Sequence, residues 1–314
     1  MTNAYTRTDN AHFDVAIVGG GAAGLSAALW LARYLHTVVL VDSGDPRNWE
    51  TRGVNGYLGL PGIKPSELRG LGRDECRKHG VELIDGTVLC VSRKSDEHYE
   101  LQLEGGRKVS GSRLLLAIGL RDVWPDIVGL EHVYGQNAHV CPDCDGYDAR
   151  DKKTVVIGKG RRVVGMALNL TTWTRDLTVC TNGKDPGLTP DLQVKLDRLG
   201  IPVITDSIVE LKLRKGELRS LVFDPRCERE PLGVEEIFFS IGQYPADDLG
   251  VQLGCERDEH GHIVVDEHYH TTVHNVYAAG DIVPGPQLAI CAAADGAISA
   301  LAIHKSLVPE ERRL

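Results

Sequence analysis

A glycine-rich turn near the start of the chain is the feature that most restricts its fold. Gly19, Gly21 and Gly24 have the spacing GxGxxG, and they follow an apolar, β-rich segment at residues 13–18. Residues 25–35 are rich in helix formers, and residues 37–41 form a second β-rich segment that leads to Asp42. This order of strand, glycine turn, helix, strand and acid predicts a dinucleotide-binding βαβ unit.

Each glycine of this turn has a separate predicted task. Gly19 permits the tight turn, Gly21 lets backbone N–H groups approach a pyrophosphate, and Gly24 allows the helix to pack closely on the strand. Asp42 is placed to accept a hydrogen bond from a ribose hydroxyl. The alternative is an ordinary glycine turn in a βαβ unit that binds no nucleotide.

The same pattern recurs once, in an altered form. Residues 153–157 are β-rich and lead into Gly158-Lys159-Gly160, and a further strand is predicted at 177–180. Val163 stands where the third small residue is expected, and its branched side chain is predicted to push the helix off the strand. Residues 181–183, Thr-Asn-Gly, offer neither the acid that binds an NAD ribose nor the arginine that binds an NADP phosphate. The sequence therefore predicts two Rossmann-like units, of which only the first binds a nucleotide.

The remaining segments predict an α/β protein with one domain inserted into the other. A helix is expected at 65–79, and a β-meander over 81–93, 98–103 and 113–117. Strands that end in Gly119 and Gly242 are the predicted hinges. The fold class is therefore two three-layer Rossmann-like domains, the second inserted into the first, with the boundaries 1–118 plus 245–314 for one domain and 119–244 for the other.

Composition and charge exclude several classes of protein. The chain of 314 residues has 44 acidic and 35 basic side chains, a net charge of −9, which argues against broad capture of nucleic acid or of anionic membranes. It lacks an uninterrupted run of about 18 apolar residues, so no membrane-spanning helix is predicted. The polar N-terminal segment has no secretory pattern, and a cytoplasmic location is expected.

The cysteines point to one functional pair. Of eight cysteines, only Cys141 and Cys144 are close enough in sequence to act as a unit. In a reducing compartment a CxxC pair is more often catalytic or metal-binding than structural. Zinc requires two further ligands at a compatible spacing, and the sequence shows none, so no metal is predicted.

With these motifs in order, the chain resembles the low-molecular-weight thioredoxin reductases over nearly its whole length. The most specific part of the match is the segment Cys141-Pro-Asp-Cys144-Asp145-Gly just before the second Rossmann-like unit. The resemblance implies FAD in the outer domain, a redox disulfide on the inner domain, a thioredoxin-like protein or a small disulfide or dithiol as substrate, and a homodimer. The FAD contacts that it implies are Gly19, Gly21, Ala22, Gly24, Asp42, Gly280, Asp281, Gln287 and Leu288, with the loop around Asn55 along the isoalloxazine.

The resemblance also implies roles at the CxxC motif. Cys141 would attack the disulfide of the substrate, and Cys144 would exchange electrons with the flavin. Asp145 would give or take the proton. The alternative for Asp145 is that it only caps the turn that follows.

Departures from the family pattern concern the electron donor. The altered turn at 158–163, the segment 181–183 and Pro286 in place of an arginine argue against NADPH. The loop around Asn55 is similar to that of gliotoxin- and holomycin-type dithiol oxidases and of deeply rooted cyanobacterial reductase-like proteins. A basic cluster at 150–162 suits an acidic donor such as ferredoxin, or is simply a solvated surface. The expected function is a flavin-dependent disulfide oxidoreductase; the alternatives are a dithiol oxidase that uses O2 and an inactive flavin-bound redox sensor.

Overall fold

The computed structural model describes residues 11–48 and 51–312. The chain divides into two compact units. Unit 1 comprises the described residues up to 48, Tyr57–Arg121, and those from 244 to 312. Unit 2 comprises 51–56 and Asp122–Gln243, so the short segment before Tyr57 belongs to the unit that carries the CxxC motif.

The helices and strands follow one another in three stretches of the chain. The first stretch contains β1 (His12–Val18), α1 (Ala22–Arg33), β2 (Val38–Asp42), α2 (Pro65–Lys78), β3 (Glu82–Asp85), β4 (Val88–Ser95), β5 (His98–Leu103), β6 (Lys108–Leu116) and β7 (Leu120–Asp122). The second contains β8 (Ala138–His139), α3 (Pro142–Asp145), β9 (Thr154–Gly158), α4 (Gly160–Leu170), β10 (Leu177–Cys180), α5 (Pro190–Arg198), β11 (Val203–Ile204), β12 (Ile208–Arg214), β13 (Glu217–Phe223), β14 (Leu232–Gly233) and β15 (Glu236–Ser240). The third contains β16 (Gln243–Pro245), α6 (Leu249–Leu253), β17 (Val276–Ala278) and α7 (Ala289–Leu307).

The main sheet of unit 1 has, among the described residues, seven strands in the order β3-β2-β1-β6-β5-β4, with β17 also paired to β6. Strands β3, β2, β1, β6 and β17 run parallel, whereas β4, β5 and β6 form an antiparallel meander. The sequence prediction assigned residues 81–93 to the meander. Its first part forms β3, which pairs in parallel with β2 at one end of the sheet, whereas β4 lies at the other end, so only β4, β5 and β6 form the meander.

Both faces of this sheet are buried, as expected for parallel strands covered on both sides. Val15 and Ile17 of β1 point into a core shared with α1 and α7, whereas Ala16 and Val18 point into the core on the opposite face. A continuous apolar run such as 15–18 is the sequence signature of this arrangement.

Helix α7 is long and apolar enough to cross a membrane by length and composition alone, the one such helix in the described part of the chain. Its buried residues include Gly296, Ser299, Ala300 and Ile303. A Cβ atom on Gly296 would lie only 2.0 Å from the carbonyl oxygen of Ala23, so α7 packs directly against α1. Close packing of this kind is typical of a core helix in a globular domain.

Unit 2 contains a parallel sheet in the order β11-β10-β9-β15-β8 and an antiparallel sheet of β12, β13 and β14. Helix α4 follows β9 in the second βαβ unit. Val163 is fully buried in one core cluster with Val156, Val179 and Leu170. The branched side chain of Val163 therefore fills the space between α4 and the sheet. The α/β fold class with two Rossmann-like units is confirmed.

Candidate active site

The first glycine turn is shaped by close backbone contacts with the start of α1 and with the residue that follows β6. Gly19 has a φ of +104°, which an L side chain rarely adopts, and a Cβ there would lie 2.2 Å from the carbonyl oxygen of Ala117. A Cβ on Gly24 would lie 1.9 Å from the carbonyl oxygen of Gly19. The structure therefore explains both residues in the way the sequence predicts, as a tight turn and a close helix–strand approach.

The N-terminus of α1 is open toward the side where a ligand would bind. Gly21 is the N-cap residue, no side chain caps the helix, and its first turn carries no acid. A Cβ on Gly21 would meet no atom within 4 Å, so the backbone is approachable there. Ala22 is the first helical residue. Free N–H groups and the positive end of the helix dipole make this an anion cradle.

Asp42 lies at the end of β2, beside this cradle. Its Oδ1 accepts a hydrogen bond of 3.1 Å from the N–H of Gly20. Its Oδ2 accepts a hydrogen bond from Arg69 and a longer one, of 3.3 Å, from Arg73. Arg69 also donates from Nε to the carbonyl oxygen of Gly20 at 3.2 Å. Both arginines come from α2. A ribose hydroxyl that binds Asp42 would have to share this carboxylate with the two guanidinium groups.

The second group of predicted cofactor residues follows β17. Gly280 has a φ of +80°, and a Cβ there would lie 2.9 Å from the Cβ of Ala23 on α1. Arg47 brings two of the other residues together: its Nη1 donates to Oε1 of Gln287 at 2.7 Å and lies 3.5 Å from Oδ2 of Asp281. Leu288 is the N-cap residue of α7. The structure thus gathers this group at the start of α7 within unit 1.

Cys141 and Cys144 form a disulfide at the start of α3, with their Cα atoms 5.3 Å apart. Cys141 is the N-cap residue of this short helix, and its Sγ accepts a hydrogen bond of 3.1 Å from the N–H of Cys144. Both cysteines are partly exposed. A backbone N–H aimed at the first sulfur favours its thiolate once the disulfide is reduced.

Asp145, the last residue of α3, contacts two side chains of unit 2. Its Oδ2 lies 3.4 Å from Nδ1 of the buried His139, and its Oδ1 accepts from Nδ2 of Asn55 at 3.4 Å. Asn55 also donates to the carbonyl oxygen of Cys144 at 3.2 Å. The predicted isoalloxazine contact Asn55 is therefore placed against the redox helix, in the same unit as the disulfide.

The second glycine turn is covered by the loop that follows β10. The N–H of Gly160, which corresponds to Gly21, donates to the carbonyl oxygen of Pro186 at 2.7 Å. The loop is closed by its own hydrogen bonds, from the hydroxyl of Thr181 to the carbonyl oxygen of Lys184 at 2.6 Å and from the N–H of Gly187 to Asp185 at 2.7 Å. The amide that would face a pyrophosphate is thus already bound within the chain.

The other cysteines differ from the CxxC pair in environment. Burial raises the pKa of Cys76 to about 11 and that of Cys180 to about 12, so both stay protonated thiols at neutral pH. Over residues 11–48 and 51–312, no group of three or more His, Cys, Asp and Glu side chains is arranged to hold a metal ion.

Comparison with known proteins identifies the family. The profile of the pyridine nucleotide-disulphide oxidoreductase family matches residues 13–296. The chain belongs to this family. Among curated relatives of this oxidoreductase, the thioredoxin reductase of Helicobacter pylori is 29% identical over 306 residues, which cover 92% of this chain and 97% of the relative.

Two further relatives help to place this oxidoreductase. An alkyl hydroperoxide reductase component from Pseudomonas putida is 28% identical over 94% of the chain, and the chain spans only 58% of that relative's length. The crystal structure of HlmI superimposes with a TM-score of 0.89 at 35% identity, covering 96% of this chain and 94% of HlmI. The resemblance to thioredoxin reductases is therefore confirmed, and by family this is a flavin-dependent disulfide oxidoreductase.

Members of this family bind FAD, and the residues of unit 1 fit such a group. The uncapped start of α1 and the open space at Gly21 suit its diphosphate, and Asp42 offers a carboxylate to its ribose. FAD, when bound, supplies a two-electron carrier.

Sequence reasoning missed the residues that surround the predicted ones. Arg47, Arg69 and Arg73 come from segments without a motif, and nothing in the sequence marks them. His139 lies in β8 and Glu236 begins β15. Glu236 directly precedes the apolar run Ile237-Phe238-Phe239, and a polar residue beside such a run is the signal that could have singled it out.

Proposed function

We propose that this oxidoreductase catalyses thiol–disulfide exchange between FAD held by unit 1 and a thioredoxin-like protein or small disulfide. The observation that carries the proposal is the disulfide between Cys141 and Cys144 at the start of α3, with a backbone N–H aimed at the first sulfur. In this function Cys141 exchanges with the substrate, Cys144 exchanges with the flavin, and Asp145 moves a proton.

The proposed electron donor is not NADPH. A dinucleotide site needs free N–H groups at the start of its helix for the pyrophosphate. At the second turn the N–H of Gly160 is bound to Pro186, and the loop from Thr181 to Gly187 is held over the turn. Displacing this loop from the turn would break the hydrogen bond between Gly160 and Pro186, at a cost of about 1 kcal/mol. These contacts support a turn that no longer serves a nucleotide.

The proposed donor is an acidic protein such as ferredoxin. The net charge of the chain is −9, yet several exposed basic side chains lie between β8 and the first turn of α4. They are Arg150, Lys153, Lys159, Arg161 and Arg162. A local positive surface of this kind attracts an acidic partner and is screened by salt. Reduction by such a donor is therefore expected to slow as ionic strength rises.

Anaerobic stopped-flow mixing of the oxidised holoprotein tests the proposal. Reduced ferredoxin is expected to bleach the flavin absorbance, and NADPH is not. Cys144→Ser is expected to keep this bleaching but to lose the reduction of a disulfide substrate, whereas the matched control Cys90→Ser, at a free cysteine outside the motif, keeps both. Prompt bleaching by NADPH contradicts the assignment of the second turn. Bleaching only by a small dithiol, with release of peroxide, would identify a dithiol oxidase instead.

The proposed assembly is a homodimer, as in the family that the sequence resembles. The exposed side of α7 carries the apolar side chains Ile290, Ile298 and Leu301, each about 40% exposed. A second copy of the chain would remove this apolar surface from water.

A further inference from the structure

A chain of charged side chains leads from the surface of unit 2 to Asp145. Nζ of Lys152 donates to Oε1 of Glu236 at 2.6 Å, and Oε2 of Glu236 accepts from Nε2 of His139 at 3.0 Å. Nδ1 of His139 lies 3.4 Å from Oδ2 of Asp145. The side chain of Lys152 is 37% exposed, whereas those of Glu236 and His139 are 2% and 6% exposed. One end of the chain therefore meets solvent and the other end adjoins the redox pair.

Buried charges of this kind are costly unless they are paired. Glu236 is compensated by two cationic partners and by a further hydrogen bond of 3.3 Å from Nδ2 of Asn137. Both ring nitrogens of His139 face carboxylates, an arrangement that only an imidazolium satisfies with two donors. A histidine that served packing alone would not need an acid on each side.

We propose that His139 is a positioning residue that acts on the cysteine pair through Asp145, by orienting its carboxylate and by holding the proton that Asp145 transfers. The proposal rests on the proposed function, because it assigns Asp145 the proton transfer of thiol–disulfide exchange.

The surroundings of His139 favour the protonated ring. Burial disfavours the charge, but the hydrogen bonds and negative charges of Asp145 and Glu236 outweigh it and raise the pKa of His139 to about 9. The titratable groups that face the ring are Asp145 from α3 and Glu236 from β15, with Lys152 behind Glu236, and the ring of Phe238 packs at 5.1 Å. At neutral pH the ring of His139 is therefore protonated, and Asp145 connects this proton to the cysteine pair.

The proton balance of the redox step then closes. Two electrons, which bound FAD would supply while its own proton passes to solvent, break the bond between the two sulfurs and leave two thiolates. Transfer of the His139 proton through Asp145 converts one thiolate to a thiol. The ring then takes up a proton from solvent, because its pKa is about 9. The other thiolate remains the nucleophile for the substrate disulfide. Its attack on the substrate disulfide forms a mixed disulfide and expels one substrate thiolate. The second cysteine then gives its proton through Asp145 and His139 to solvent, closes the Cys141–Cys144 bond and expels the other substrate thiolate, and both substrate thiolates are protonated by solvent.

The test measures the thiolate of Cys141 directly and does not need the physiological electron donor. The holoprotein is reduced with dithiothreitol, desalted without oxygen, and alkylated with iodoacetamide from about pH 5 to about pH 10, with Cys141 followed by mass spectrometry. His139→Gln is expected to raise the pH midpoint of alkylation by about one unit, because the imidazolium no longer neutralises the carboxylate of Asp145, whose negative charge then opposes the thiolate. His132→Gln, an exposed histidine of the same unit, is the matched control and is expected to leave the midpoint unchanged.

A second pair of variants tests the route through Asp145. In an Asp145→Asn background, His139→Gln is expected to cause no further shift. Glu236→Gln, which keeps size and hydrogen bonding, is expected to shift the midpoint of the otherwise native protein in the same direction as His139→Gln, and it serves if His139→Gln does not fold. Unchanged profiles in His139→Gln and Glu236→Gln, or additive shifts in the double variant, would overturn the inference. A native protein whose cysteines do not form a reducible pair would instead overturn the proposed function.

Discussion

Arg69 and Asp42 form an ion pair at the end of β2 in which neither side chain is more than 19% exposed. The same carboxylate also accepts a hydrogen bond from the N–H of Gly20, so the ion pair connects α2 to the first glycine turn. The contact places a cation beside the carboxylate that is predicted to bind the ribose of FAD. The stability of this part of unit 1 is therefore linked to a residue that belongs to no recognised motif.

Replacing Arg69 with glutamine is expected to destabilise the protein by about 1–3 kcal/mol, because a largely buried carboxylate loses a charged donor. Urea unfolding of the native protein and the variant measures the difference. Arg77→Gln is the matched control on the same helix, since its pair with Asp74 is more than half exposed and is expected to contribute less than about 1 kcal/mol. Equal effects of the two substitutions would contradict a special role for Arg69.

The first glycine turn gives a second prediction. Valine at Gly24 would place a Cβ 1.9 Å from the carbonyl oxygen of Gly19, so the turn and the start of α1 must separate. We expect Gly24→Val to be purified with little or no FAD and to lose about 1–3 kcal/mol of stability. Flavin absorbance per protein measures the first effect. Gly70→Ala is the control, since a Cβ there meets nothing within 4 Å; if it loses FAD to the same extent, the geometric explanation is wrong.

The sequence predicts the elements with a local signal and misses the contacts between distant segments. The turn from Gly19 to Gly24 and the helix after Pro65 follow from glycine spacing and from helix-start residues, and the structure has both. The pairing of β3 with β2 could not be predicted, because a short strand carries no mark of its partner. The same limit hid Arg69, whose partner Asp42 lies 27 residues away, and the contact of Gly160 with Pro186, which exists only after the loop folds back.

The His139 network makes stability depend on pH in the alkaline range. The pKa of His139 is about 9 in the folded protein against 6.5 as its ordinary value. A raised pKa means that the folded state binds the proton more tightly, so its contribution is fully present below pH 6.5 and is lost as the pH rises through about 9. The shift corresponds to about 3 kcal/mol or less.

Urea midpoints measured near neutral pH and above pH 9 check this dependence. The native protein is expected to lose stability between the two, and His139→Gln to lose less. His132→Gln is expected to behave as the native protein does. Glu236 has the opposite pH dependence. Burial raises its pKa, but the hydrogen bonds and positive charges of His139 and Lys152 outweigh burial, so the pKa of Glu236 is lowered. The stability that Glu236 contributes is therefore lost as the pH falls. Parallel curves for His139→Gln and the native protein above neutral pH would exclude the charged ring.

The exposed apolar side of α7 predicts which substitution prevents two copies of the chain from forming a dimer. Ile290, Ile298 and Leu301 are spaced by eight and three residues, which places them on one side of the helix, and Gly296 and Ser299 face the core instead. A cavity of about 450 Å³ lies beside this side and is lined in part by Ile298 and Leu301.

Sedimentation velocity is expected to show a dimer for the native protein and mostly monomer for Leu301→Glu, because a carboxylate buried without a partner opposes association. Leu58→Glu, at a leucine that is 89% exposed elsewhere in unit 1, is expected to leave the dimer intact. A native monomer at micromolar concentration would show that the apolar side of α7 does not join two copies of the chain.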